Sequence, residues 1–254
     1  MTKFRPCIDL HDGKVKQIVG GSLTDSGEGL KENFTSDKSS AEFAQLYREH
    51  NLTGGHIIQL GAGNTEAAHA ALGAWKGGMQ IGGGVNLENA ASWIEAGASH
   101  VIVTSWLFDN DGTFREDRLN ALSSELGKEK IIVDLSCRRT AQGWTVAMNR
   151  WQTLTNINVT PATLDSLAEY SDEYLIHAAD VEGLCGGVDL ELVELLGSWA
   201  GIPMTYAGGV ATMKDVELTE QHSSGNVDIT VGSALDIFGG SGVTFQQLID
   251  WNNR

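Results

Sequence analysis

Asp9 in the run PCIDL and Asp134 in IIVDL lie 125 residues apart, and so do Gly84 in IGGGV and Gly209 in YAGGV. Further matches keep the same order with small insertions: DGKVK at 12–16 with QGWTV at 142–146, HIIQL at 56–60 with YLIHA at 174–178, and VTSWL at 103–107 with VGSAL at 231–235. A period of half the chain means that whatever one half builds the other builds again. Chance likeness among glycine-rich turns does not account for the shared order. The junction falls near residue 127, giving halves of about 1–127 and 128–254.

Within each half, short β-rich runs alternate with amphipathic helical stretches, the pattern of parallel strands joined by crossover helices. Eight runs centre on residues 4–9, 55–60, 79–82, 100–104, 130–135, 174–178, 203–207 and 227–231. Helix starts are marked by Ser39 with Glu42 at capping-box spacing, by Thr160 before Pro161, by Asp189 and by Thr212. Asn86 is placed to cap a helix whose apolar Leu87, Ala90, Ala91 and Ile94 share one face and which stops at Gly97; the Asp189 helix closes near Gly201. A strand count alone also suits a doubly wound sheet. Two equivalent four-strand halves in 254 residues favour a closed ring, so the expectation is an α/β protein, a (β/α)8 TIM barrel with an internal two-fold half-barrel repeat, in one domain over 1–254.

Composition narrows the partners. A formal net charge of −16 disfavours nucleic acid, whose binding rests on Lys and Arg neutralising phosphate. Three cysteines, Cys7, Cys137 and Cys185, have neither metal-site spacing nor the even count of a secreted disulfide framework. The N-terminal MTKFRPCIDL lacks an apolar signal core, and no run approaches the ~18 apolar residues of a membrane span. The expectation is a cytoplasmic monomer acting on a small molecule, with no membrane, metal or cofactor. Phosphate in so acidic a chain must be held locally by backbone N–H groups and helix N-termini.

Barrel chemistry gathers where strands end and βα loops begin. Asp9 and Asp134 end equivalent strands one and five, so their carboxyls face each other across the mouth and can act as base and acid if their environments separate them. The competing reading has them capping loops or pairing with Lys14, Arg138 or Arg139. Strands three and seven end in Gly82-Gly83-Gly84-Val85-Asn86 and Ala207-Gly208-Gly209-Val210; strands four and eight end in Val103-Thr104-Ser105 and Val231-Gly232-Ser233. Glycine lets backbone approach an anion and the hydroxyls add donors, so Gly83, Gly84, Thr104 and Ser105 form one candidate phosphate site and Gly208, Gly209, Gly232 and Ser233 another. Two equivalent sites imply a substrate carrying phosphate at both ends. No strand-GxGxxG-helix unit is present.

The runs PCIDLHDGKV, QIGGGVN, AGASHVIV, IIVDLSCRR, YAGGV and VGSALDIF resemble the phosphoribosylformimino-5-aminoimidazole carboxamide ribotide isomerases of histidine biosynthesis, and IHAADVEGLCGG at 176–187 resembles their eukaryotic branch. The resemblance spans nearly the whole chain. It implies a two-fold repeated barrel that performs an Amadori rearrangement, with Asp9 as general base and Asp134 as partner acid or substrate-orienting group. Where bacterial members carry His-Thr and later Asp-Gly, this chain reads His177-Ala178 and Glu182-Gly183, which makes Glu182 a rival for the proton donor. The rigid strand end favours Asp134 in that choice. Gln17 stands near the place of an arginine in many members, leaving Lys14 and Lys16 as nearby cations.

Trp144 is a candidate to stack on the aminoimidazole ring. Loops 14–30 and 138–156 are long enough to act as lids. His11 and His177 are placed near the mouth; His56, His69, His100 and His222 read as structural or solvated. Two other readings stay open. One is the cyclase barrel that works on the next intermediate with a glutaminase partner, the imidazole glycerol phosphate synthase type. The other is a non-catalytic barrel that binds a phosphorylated ligand, which gains nothing from carboxylates facing an anion.

Overall fold

The computed structural model describes residues 1–18 and 32–254. Eight parallel strands follow one another around a ring: β1 (Cys7–His11), β2 (Gly55–Gln59), β3 (Met79–Gly82), β4 (Val101–Val103), β5 (Ile131–Asp134), β6 (Glu173–His177), β7 (Met204–Ala207) and β8 (Asp228–Ile229). The ring is closed by a parallel bridge between Phe4 and Ile229. There the Arg5 N–H donates to Ile229 O at 2.8 Å and the Ile229 N–H donates to Lys3 O at 2.9 Å. Closure settles the choice against an open doubly wound sheet, and all eight strands fall on the runs expected to form them.

The strands are apolar on both sides because both sides are buried. Ile8, Ile57, Ile81, Val101, Val133, Ile176 and Tyr206 join the core under the helices, while Ile102, Ile132, Leu175 and Ala207 form a smaller cluster with Ile58 inside the ring. Side chains alternate along a strand, so the residue two places beyond an interior one is interior again. That rule carries Thr104, Asp134 and His177 into the mouth directly above Ile102, Ile132 and Leu175. Nearer the opposite end, Gln80 and Thr205 donate to the buried Glu173 carboxyl at 3.0 Å each.

Helix signals were legible. Ser39 and Glu42 make a reciprocal capping box at the helix Ser40–Glu49, and Thr160 caps the helix Pro161–Leu167. Asp189 caps Leu190–Trp199, and Asp215 accepts from the Thr212 N–H at the head of Met213–Ser223. One boundary differs from expectation. Asn86 accepts from the N–H groups of Glu88 and Asn89, forming a turn, and the helix proper begins at Ala90 before ending in left-handed Gly97. The Asp189 helix closes at Ala200, φ 46°, beside Gly201 as expected.

Both halves interrupt the pattern at the same place. After β1 an antiparallel hairpin pairs Leu10 with Val15 and continues to Glu32–Thr35; after β5 three strands, Cys137–Thr140, Gly143–Met148 and Thr153–Asn158, make a separate antiparallel sheet. Of the first expected lid loop, 14–30, residues 19–30 lie outside the described residues. No helix among the described residues is long and apolar enough to cross a membrane.

Candidate active site

A cavity of about 730 Å³ opens at the C-terminal ends of the strands. Asp9, Asp134, His177 and Glu182 stand on its wall together with Gly83, Gly84, Thr104 and Ser105 from the first half. A smaller cavity, about 30 Å³, is lined by Gly208, Gly209, Gly232 and Ser233 from the second half, with Cys7, His56 and Thr230. Asp9, Gln17, His177 and Glu182 line both, so they form a waist between the two glycine-rich cups. All three carboxyl groups expected from sequence thus meet in one site.

The repeat is visible in the backbone. Gly84 and Gly209 have φ of 77° and 76°, a left-handed conformation that side chains rarely adopt. A Cβ on Gly209 would strike Gly187 O at 2.2 Å, whereas one on Gly84 would meet nothing within 4 Å. The hydroxyls of the cups are engaged in distinct ways. Thr104 Oγ1 donates to Asp134 Oδ2 at 3.5 Å, Ser105 Oγ accepts from the Asn149 N–H at 3.1 Å, and Ser233 Oγ accepts from Asn33 Nδ2 at 2.9 Å.

Gln17 Nε2 donates to Asp9 Oδ2 at 2.9 Å. Burial pushes the Asp9 carboxyl up, the Glu182 charge pushes it further, and His177 and Gln17 pull it back, leaving it at about 7. Glu182 is likewise raised by burial, against the opposing pull of His177. Asp134 is 7% exposed. Its Oδ1 accepts from Ser136 Oγ at 2.8 Å and faces His177 Nδ1 at 3.5 Å. Burial works against charge on His177, yet Asp134, then Glu182 and Asp9, outweigh it and lift the imidazole to about 9.

Of the cations named in the competing reading, Lys14 is exposed, Arg138 pairs with Asp180 at 3.1 Å and Arg139 pairs with Glu191. Lys16, the other cation near Gln17, pairs with Glu32 at 2.6 Å. His11 faces Asp12 at 3.0 Å and is absent from both cavity walls. His69 stacks on Trp93, His100 meets Asp172 and His222 meets Glu194, as structural residues should. His56 departs from expectation: it is buried inside the ring, lines the smaller cavity, and stands edge-on to His177 at 6.2 Å.

Trp144 also requires correction. Its Nε1 donates to Asp189 Oδ2 at 2.9 Å, the Arg139 guanidinium lies 4.9 Å from its ring, and it lines neither cavity. Trp151 of the same excursion lines the large cavity instead, its ring 6.0 Å from that of His177. Three successive non-glycine residues, Asn149, Arg150 and Trp151, hold positive φ of 52°, 55° and 64° to place it there. Backbone strain of this kind persists where surrounding structure enforces it, and it gathers at functional sites.

Fold and site together define a (β/α)8 barrel with titratable groups between paired glycine cups. The chain belongs to the family described as histidine biosynthesis protein, whose model matches residues 3–240. A protein of Yarrowia lipolytica is 54% identical over 262 residues, covering 100% of this chain and 99% of its own length. One of Neurospora crassa is 52% identical over 257 residues, covering 100% of both chains. One of Saccharomyces cerevisiae is 48% identical over 260 residues, covering 100% of this chain and 99% of its own. All three are named 1-(5-phosphoribosyl)-5-((5-phosphoribosylamino)methylideneamino) imidazole-4-carboxamide isomerase.

Proposed function

We propose that the chain catalyses the Amadori rearrangement of phosphoribosylformimino-5-aminoimidazole carboxamide ribotide, turning the aminoaldose into the aminoketose of histidine biosynthesis. The observation that carries this reading is the waist: a half-buried acid/base pair, Asp9 and Glu182, lies between two glycine cups related by the repeat. The relatives' name contains two phosphoribosyl groups, which suits a ligand gripped at both ends by backbone N–H donors.

The chemistry balances with proton transfers alone. Glu182, whose carboxyl burial holds above the usual carboxylate range, gives its proton in the acid form to the ring oxygen as the C1–O bond breaks and the nitrogen lone pair forms the C1=N bond. Asp9, ionised, removes the C2 proton; the electron pair forms C1=C2 and the C=N pair returns to nitrogen. Loss of the C2 hydroxyl proton and protonation of C1 complete the ketose. A base raised to about 7 is stronger than an ordinary carboxylate and still ionised in half the molecules at neutral pH. Asp134 takes the orienting role here, because both its oxygens already accept hydrogen bonds, from Ser136, His177 and Thr104.

The same reading makes the protein one domain over 1–254 built of two half-barrels, working as a cytoplasmic monomer on a bis-phosphorylated substrate. In support of a reducing compartment, Cys7, Cys137 and Cys185 are all free thiols. Incubation with the aminoaldose alone, followed by ultraviolet spectroscopy and product analysis, tests it. The aminoketose is expected. An unchanged aminoaldose, with imidazole formed when the aminoketose and ammonia are supplied instead, points to the cyclase reaction, and tight binding without conversion of either points to a binding barrel.

A further inference from the structure

His177 lines both cavities, yet the proton transfers above give it no task. Titratable groups face its ring from every side of the waist: Asp9 from β1, His56 from β2, Asp134 from the end of β5, and Glu182 from the loop after its own strand. Trp151 covers it from the second excursion. Carboxyl groups crowded around one waist disfavour each other's negative charge, and a cation among them relieves that repulsion.

His56 does not supply it. Burial and the neighbouring His177 hold its imidazole down at about 3, and its Nδ1 is a buried nitrogen without a hydrogen-bond partner among the described residues. A histidine ring that is neutral through the physiological range leaves the positive charge to the ring above it. That ring has the partner a cation needs, Asp134 Oδ1 at 3.5 Å from Nδ1, and Asp134 is itself anchored by Ser136.

We propose that His177 is a positioning residue for the isomerisation: held as an imidazolium against Asp134, it supplies the fixed positive charge that lets Asp9 serve as the base at the waist. The inference rests on the acid/base reading above and adds the group that makes it electrostatically consistent. Gln17 donates to Asp9 and so selects that carboxyl for the ionised role. The direction of each influence agrees: Asp9 and Glu182 both favour the charged imidazole, and it lowers both of them.

The test uses the full chain with its seven histidines labelled with 15N and assigned by substitution. His177 is expected to remain doubly protonated at pH 7.5, while His56 stays neutral from about pH 5 to 9. A neutral His177 at pH 7.5 overturns the proposal whether or not the protein turns over substrate. Failure of the wild-type protein to convert the aminoaldose sinks the functional reading alone.

A second arm follows the pH profile of kcat/KM in His177→Asn, which keeps a donor near the Nδ1 position without the charge. Its rising limb should move up by about one pH unit with KM changed less than about threefold. His177→Lys should bring the limb part of the way back. A general loss of activity with the limb unmoved assigns His177 to packing and overturns the proposal.

Discussion

Gln17 and Asp9, eight residues apart across the first hairpin, are joined by a hydrogen bond of 2.9 Å from Nε2 to Oδ2. The bond stabilises the ionised carboxyl, so its loss should make Asp9 a base only at higher pH. In Gln17→Leu, the rising limb of kcat/KM should move up by about half a pH unit or more, with the largest loss of activity below pH 7. An unmoved limb assigns that limb to another group.

Asp9→Asn should separate stability from activity. The native carboxyl titrates near 7, well above its ordinary range, so between about pH 4 and 7 the folded protein keeps a proton that the unfolded chain has lost. Stability therefore falls as pH rises through that window. The amide removes the penalty, and Tm at pH 8 should rise by about 2 °C or more, with a smaller difference at pH 5. Turnover should vanish while substrate affinity stays within about tenfold. Retention of more than about a tenth of the rate removes Asp9 as base.

The proton donor is decided by comparing two variants. Glu182→Gln should lower kcat at least about 100-fold, within the ~10²–10⁴ of a positioned acid, because the buried amide has no proton to give. Asp134→Asn should act more on KM, since it loosens an orienting group. Steady-state kinetics at several pH values measure both. The reverse ranking returns the donor role to Asp134.

Crystals grown with phosphate or sulfate should hold one anion against the backbone of Gly83 and Gly84 and another against Gly208, Gly209 and Gly232, all at cavity walls. Ser233 already accepts from Asn33, so its own O–H remains available to donate to the second anion. Occupancy of a single cup, or anions held mainly by lysine and arginine side chains elsewhere, removes the two-ended grip.

Trp151→Ala should raise KM about tenfold or more, because the ring covers the large cavity beside His177. Trp144→Phe should leave KM within about twofold and cost about 1 kcal/mol of stability through the lost bond to Asp189. Denaturant unfolding and initial rates on the two variants separate the roles. Equal KM effects would return Trp144 to the site.

What sequence could show about this site tracks how rigidly each residue is tied to a strand. Asp134 and the glycine cups sit at or just past strand ends, and Asp9 lies inside β1 rather than at its expected end; a period of two and the repeat locate them without further information. Trp151 escaped because the turn that delivers it uses positive φ at three side-chain-bearing residues, a choice made by tertiary packing and unmarked by glycine. His56 looked like a strand start far from the chemistry; in fact it faces inward, below His177, where the interior layer reaches the smaller cavity. The burial of Glu182 depends on how its loop folds over the waist, which spacing alone does not encode.

Closure of the ring by Phe4 and Ile229 sets an order on folding. Thr2 and Trp251 reinforce the same seam, through the Thr2 hydroxyl to Val227 O, 225 residues away, and Trp251 Nε1 to Thr2 O. These are among the most distant contacts the chain can make, and such contacts form slowly because the loop entropy comes first. During synthesis at ~5–20 residues per second, the outer edge of the first strand waits on the order of ten to fifty seconds for its partner to emerge. Until then an unpaired, apolar strand edge is open to other chains. Aggregation of nascent protein, rather than loss of chemistry, is the expected phenotype of substitutions at Phe4, Thr2 or Trp251, and it should grow more severe when translation near the C-terminus is slowed.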